Sequence, residues 1–127
     1  MKKVVFMAAA VLLSGAALIV LASCGSSSGG NNDGQAVTMT GPNAQVVMKD
    51  IAFDPPVIAI QTGTTVTWSN EDSVTHTVTA TGGAFDSGRQ DPGKNFGYTF
   101  NSAGTYDYAC TIHPQMKGQV IVTGPNT

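Results

Sequence analysis

From residue 36 onward the chain is cut so often by turn-forming residues that it has room only for short strands. The breaks fall at Gly41-Pro42-Asn43, Thr62-Gly63, Asn70-Glu71-Asp72, Gly82-Gly83, Asp91-Pro92-Gly93 and Asn101-Ser102-Ala103-Gly104. Glycine accepts positive φ, proline locks φ at a negative value, and Asn or Asp bonds its own backbone, so each cluster reverses the chain by a local mechanism. The intervening segments are rich in Val, Thr, Ile and aromatics and carry no long helical stripe, which favours strands. Strands are predicted at about 45–49, 57–61, 64–69, 74–80, 95–100, 104–110 and 117–123. Seven strands at this spacing imply an all-β, antiparallel two-sheet Greek-key sandwich or barrel, of about 7–8 strands. The Gly-rich segment 81–94 reads as a surface loop with room for a short helix. No internal repeat is present.

Period-two alternation says which side chains share a face. In 64–69, Val66 and Trp68 lie on one face and Thr65 and Thr67 on the other. In 74–80, Val74, His76, Val78 and Ala80 form the inward set, with Thr75, Thr77 and Thr79 outward. In 104–110 the inward set is Tyr106, Tyr108 and Cys110. One histidine and one thiol are thus expected on core-facing positions.

The first 23 residues differ from the rest. All four leucines (Leu12, Leu13, Leu18, Leu21) lie there, behind Met1-Lys2-Lys3, and Val4 to Ala22 runs without a charge. This pattern predicts a secretory signal, with a retained transmembrane helix as the alternative. Leu21-Ala22-Ser23-Cys24 resembles a bacterial lipobox, which favours cleavage and acylation at Cys24. Residues 1–23 are then the lipoprotein signal, 24–35 the lipidated cysteine with a Gly/Ser/Asn tether, and 36–127 the folded domain. Ten such tether residues reach about 17–19 Å r.m.s.. The expected location is the extracytoplasmic face of a bacterial membrane, held there by the lipid anchor.

Composition excludes other classes. The chain has six basic residues in 127, too few for a phosphate-tracking stripe, so nucleic acid is not an expected partner. Two cysteines cannot build a disulfide scaffold or a four-thiolate zinc site. Residues 24–127 hold four basic and eight acidic side chains, a formal −4.

The only two histidines are His76 and the one in Cys110-Thr111-Ile112-His113-Pro114-Gln115-Met116. Taken singly, Cys110 reads as an inert buried thiol or a partner for Cys24. His76 reads as a core histidine, His113 as a loop residue and Met116 as packing. Taken together they supply a thiolate, two imidazoles and a thioether, the donor set of a blue-copper site. The Cys-x2-His-x2-Met spacing lets one loop turn three donors toward a point that the distant His76 closes.

The segment Tyr106-Asp107-Tyr108-Ala109-Cys110-Thr111-Ile112-His113-Pro114-Gln115-Met116-Lys117-Gly118 resembles the ligand loop of amicyanins, among the plastocyanin-like cupredoxins. Phe53-Asp54-Pro55-Pro56, Val66-Thr67-Trp68-Ser69-Asn70 and His76-Thr77-Val78 also resemble that family, and Phe85-Asp86-Ser87-Gly88 is closer to plastocyanin. The resemblance spans about residues 44–123. It implies a cupredoxin β-sandwich binding one type 1 copper ion through His76, Cys110 and His113, with Met116 axial and His113 as the electron port. Thr77 and Thr111 flank the ligands. Three residues depart from the family: Thr77 replaces a common Asn that ties the ligand loops, Ile112 a common Pro, and Gln115 an apolar residue. The expected consequences are a shorter-reaching tie, a looser loop and a more polar surface round His113.

The function so implied is a membrane-tethered one-electron carrier, monomeric and not an enzyme. Its expected partners are redox proteins such as a cytochrome c, a dehydrogenase, a reductase or an oxidase. The acidic surface, with Glu71 and Asp72 as contributors, reads equally as one that steers a basic partner and as one that is merely soluble. The alternative is a copper delivery or storage lipoprotein. Two histidines cannot furnish the His-x-His sets of multicopper oxidase chemistry.

Overall fold

Alternating burial builds the two layers of the sandwich. The computed structural model describes residues 35–125, so the expected signal 1–23, Cys24 and tether residues 25–34 lie outside the described residues. Strand β5 (Thr64–Asn70) buries Thr64, Val66, Trp68 and Asn70 and leaves the residues between them half-buried. Strand β2 (Asn43–Lys49) buries Ala44, Val46 and Met48 and runs parallel to β5, with Val46 opposite Trp68 and Met48 opposite Asn70. Strand β7 (Asn95–Phe100) pairs antiparallel with β5, and β3 (Ala52–Asp54) antiparallel with β2. This sheet has the order β3-β2-β5-β7.

The second sheet has the order β1-β4-β9-β8-β6. Its members are β1 (Val37–Thr38), β4 (Val57–Gln61), β6 (Thr79–Ala80), β8 (Gly104–Ala109) and β9 (Lys117–Thr123). Strands β1, β4 and β9 are mutually parallel, whereas β8 runs antiparallel to β9 and to β6. Both sheets are therefore mixed, not antiparallel as expected. Alternation reports the face a residue takes, and carries no information on the direction of the neighbouring strand. The all-β, two-sheet architecture is as the sequence implies, and no helix occurs among the described residues.

Between the layers Trp68 meets Tyr108 edge-on at 5.4 Å and Phe85 at 5.5 Å, and Phe85 meets Tyr98 at 4.9 Å. Burying a large apolar side chain contributes roughly 1.5–3 kcal/mol, and a well-set aromatic pair adds about 0.5–1.5 kcal/mol. Tyr108 lies across its register partner Gly118, where a Cβ would fall inside the Tyr108 ring. Glycine at 118 is thus a matter of close approach between two strands.

Two segments depart from expectation. The strand predicted at 74–80 shrinks to β6, and its earlier part keeps one isolated β-bridge, between His76 and Gln90, in place of a ladder. Period-two alternation lapses there, so Val74 is exposed and Thr77 is buried, the reverse of their predicted faces. The second segment links β2 to β3 through a two-residue turn, Asp50-Ile51, with φ of 54° and 55°. Positive φ at both central residues is the type I′ hairpin geometry, normally supplied by Asn-Gly or similar pairs.

Candidate metal centre

Three irregular stretches meet at one end of the sandwich: the 70–78 segment, the loop 110–116, and the 85–90 segment, which bonds along residues 76–80. Asn70 ends β5, is 2% exposed, and organises the loop after that strand. Its Oδ1 accepts the Asp72 N–H at 2.9 Å, and its Nδ2 donates to the carbonyls of Val74 (2.9 Å) and Gln90 (2.8 Å). A buried amide so fully paired stabilises a loop that has no ladder of its own.

His76 is held by its backbone and its ring. Its N–H donates to Gln90 O at 3.0 Å, and the Gln90 N–H donates back to His76 O at 2.7 Å. The fully buried ring places Nε2 2.7 Å from Asp72 Oδ2. Burial alone would raise the Asp72 carboxyl, but the N–H groups of Ile51 and Asp50 and the His76 ring outweigh it and hold it below its ordinary value.

Cys110 follows β8 directly and is buried. Its Sγ accepts the Thr77 N–H at 3.3 Å and the His113 N–H at 3.4 Å. Burial opposes ionisation of the thiol, yet these two backbone donors and the His113 and His76 rings bring its pKa down to about 6. The thiolate, the form that binds metals, therefore predominates at neutral pH. The loop closes on itself: Cys110 N donates to Met116 O at 3.0 Å, and Met116 N donates to His113 O at 2.8 Å.

These folds bring His76, Cys110 and His113 together. Both imidazole Nδ1 atoms lie 3.8 Å from Cys110 Sγ and 3.2 Å from each other, and the three donor atoms all fall within 4.8 Å of one another. Met116 is buried in the same loop. A buried thiolate with two converging neutral-donor nitrogens and a thioether in the same loop suits copper by ligand softness. His113 is half-buried while Ile112, Pro114 and Gln115 beside it are exposed.

Thr77 does make the tie between loops despite its short reach. Thr111 N donates to Thr77 Oγ1 at 2.8 Å, and the two hydroxyls lie 3.1 Å apart. The contacts continue from Thr77 Oγ1 to Thr79 Oγ1 at 3.1 Å and from Thr79 Oγ1 to Asp86 Oδ1 at 3.2 Å. Sequence reasoning overlooked Asn70 and Gln90, and it placed Asp72 on a partner-steering surface. Glu71 is exposed as expected, but the Asp72 side chain is only 13% exposed and turned onto His76. The one signal for Asp72 was its place four residues before a histidine, which is uninformative until the loop conformation is known.

The family of cupredoxin-like domains matches residues 9–122 of the chain. Amicyanin-alpha of Methylorubrum extorquens is 34% identical over 85 residues, spanning 63% of this chain and 71% of that protein. The amicyanin of Paracoccus denitrificans is 36% identical over 84 residues, 60% of this chain and 64% of its own length. Among solved structures, a copper(I) form of an amicyanin variant superposes with a TM-score of 0.61 at 30% identity, covering 64% of this chain and 82% of that one.

Proposed function

Because this chain belongs to the family of cupredoxin-like domains, we propose that it is a blue-copper electron-transfer protein holding one copper ion through His76, Cys110, His113 and Met116. The observation that carries the reading is the buried Cys110 sulfur flanked at 3.8 Å by two imidazole nitrogens that belong to different parts of the fold. When bound, copper supplies a one-electron Cu(II)/Cu(I) couple at this point.

The chain's own residues would do the remainder. Asp72 and the Gln90 backbone hold His76, and the Thr77 and His113 amides hold Cys110, so the donors need not move between oxidation states. Cys110, kept as thiolate by the Thr77 and His113 amides, offers a soft anionic donor without first losing a proton. His113, half-buried among the exposed Ile112, Pro114 and Gln115, is the ligand through which the electron would enter and leave. Thr77 and Thr111 keep the two ligand-bearing segments in register. We read the protein as a carrier and not an enzyme, because one copper ion accounts for all four donors.

We further propose that Cys24 is lipidated and that the carrier works as a monomer on the outer face of the membrane, exchanging electrons with extracytoplasmic redox proteins. The Leu21-Ala22-Ser23-Cys24 motif and the Gly/Ser/Asn stretch after it support this. Adding Cu(II) to the purified protein tests the function: an intense thiolate-to-copper band in the visible range, bleached by reductant, is expected. A colourless protein binding Cu(I) tightly would overturn it in favour of copper delivery or storage. A mass increment of fatty acyl groups, absent after Cys24→Ser, is the check on the anchor.

A further inference from the structure

The geometry points to Asp72 as a positioning residue with two tasks at once: it sets the tautomer of His76 that leaves Nδ1 free for a metal, and it holds the β2–β3 turn in a backbone conformation its residues disfavour. The first task deepens the copper reading above and rests on it; the second stands without it.

One carboxylate receives three N–H groups. Asp50 N donates to Oδ1 at 2.7 Å, Ile51 N to Oδ2 at 2.9 Å, and the His76 Nε2 lies 2.7 Å from that same Oδ2. An ionised carboxylate accepts and has no proton to give. The Nε2 that bonds it is therefore the protonated ring nitrogen, and in neutral imidazole the lone pair is left on Nδ1. Nδ1 is the atom that faces Cys110 Sγ and His113 Nδ1. The other tautomer would set a proton where the metal must bind.

The same oxygens answer the turn. Ile51 is β-branched, and positive φ is a true outlier for such a residue, so the turn is strained there. Its side chain is 42% exposed, so packing returns little. Two charge-assisted bonds from adjacent turn amides to one carboxylate offset that strain. A shift of the turn and a shift of the ligand ring are thereby coupled through a single side chain.

Asparagine cannot substitute, although it has the same shape. It offers one accepting oxygen and one donating nitrogen. With nitrogen at the Oδ2 position it confronts both Ile51 N and His76 Nε2 as a donor, and the ring is driven toward the Nδ1-protonated form. With oxygen there, its nitrogen confronts Asp50 N instead.

Nitrogen-15 NMR of the metal-free protein at about pH 8, where imidazole is neutral, reads the tautomer directly. The expected wild-type result is a His76 ring protonated on Nε2 and bare on Nδ1. In Asp72→Asn the Nδ1-protonated form should appear, copper affinity should fall about 10–100-fold, and the reduction potential should rise because a negative charge beside the ligands is lost. Ile51→Gly keeps the amide and removes the strain. Combined with Asp72→Asn it should restore thermal stability while the tautomer and the affinity stay altered, and it supplies a folded background should the single variant be unstable. Wild-type tautomer, affinity and potential in Asp72→Asn would overturn the ligand half; no recovery of stability from Ile51→Gly would overturn the turn half. A wild-type Nε2-protonated His76 in a protein that forms no blue band would instead sink the copper reading and leave the positioning of the ring intact.

Discussion

The sandwich and its metal-bearing end are stabilised by different physics. Between the sheets, Val46, Val66, Trp68, Phe100, Tyr108 and Val120 are buried by alternation on laddered strands. At the metal-bearing end, the 70–78 and 110–116 segments have little ladder; Asn70, Asp72 and Thr77 pin them through side-chain hydrogen bonds and Gln90 through its backbone. A sheet interior loses stability in proportion to lost area and packing. A polar end loses it one bond at a time, and each bond carries positional information that apolar contact does not.

Substitutions that strike one region and spare the other test this division. The largest effect is expected from Cys110→Ser, which should abolish the visible copper band altogether. Because no strand of either sheet includes Cys110, the far-ultraviolet circular dichroism of the folded variant should be unchanged. Next comes acid. The Cys110 thiol is lowered from 9.0 to about 6 in the folded protein, so without metal its thiolate stabilises the fold fully above pH 9. That contribution shrinks as pH falls toward 6 and is gone below it, at most about 4 kcal/mol from about 1.4 kcal/mol per pKa unit. Chemical denaturation of the metal-free protein at a series of pH values should show the loss, and Cys110→Ser should remove the slope over that window.

The sandwich has its own weak point at Gly118. Gly118→Ala forces a methyl group into the Tyr108 ring and should destabilise by about 1–3 kcal/mol, as overpacking does, with the spectrum of the copper form preserved. Asn70→Ala is expected to lower stability by about 2 kcal/mol, since it strands the Asp72 amide and two carbonyls; hydrogen exchange should quicken in 70–76 and not in β4 or β9. The smallest effect is expected from Thr77→Val, about 1 kcal/mol for the lost hydroxyl. It should broaden the copper signal in electron paramagnetic resonance by loosening the 110–116 loop. If Asn70→Ala or Thr77→Val instead speeds exchange throughout β4 and β9, the two regions are one cooperative unit and the division fails.

The same division separates the legible parts of the sequence from the illegible ones. Strands 57–61, 95–100 and 117–123 match the observed β4, β7 and β9 to the residue, because alternation and flanking turns both mark them. Strand direction was not legible, since β2 beside β5 looks the same in sequence whether parallel or antiparallel. Strands β1 and β3 are too short to show a period. At the metal-bearing end His76, Cys110, His113 and Met116 stood out because their donor chemistry is rare in combination. Asp72 and Asn70 did not, because an amide or carboxylate gains its role only from the turn that aims it, and neither did Gln90, which acts through its backbone N–H and carbonyl. The Thr75 to Thr79 run misled by alternating in composition over a stretch that does not alternate in space.

The row of hydroxyls from Thr111 through Thr77 and Thr79 to Asp86 has one more implication. The ionised Asp86 can only receive, so Thr79 must send its single proton there and take one from Thr77, which in turn takes from Thr111. Three rotors that would be free in separate threonines are reduced to a single shared sense, pointing away from the cysteine loop toward solvent. Reversing any one of them leaves two protons facing each other or two lone pairs opposed. Thr77 and its two threonine neighbours thus give the loop a directional lock, whose sense is set from outside by an exposed carboxylate.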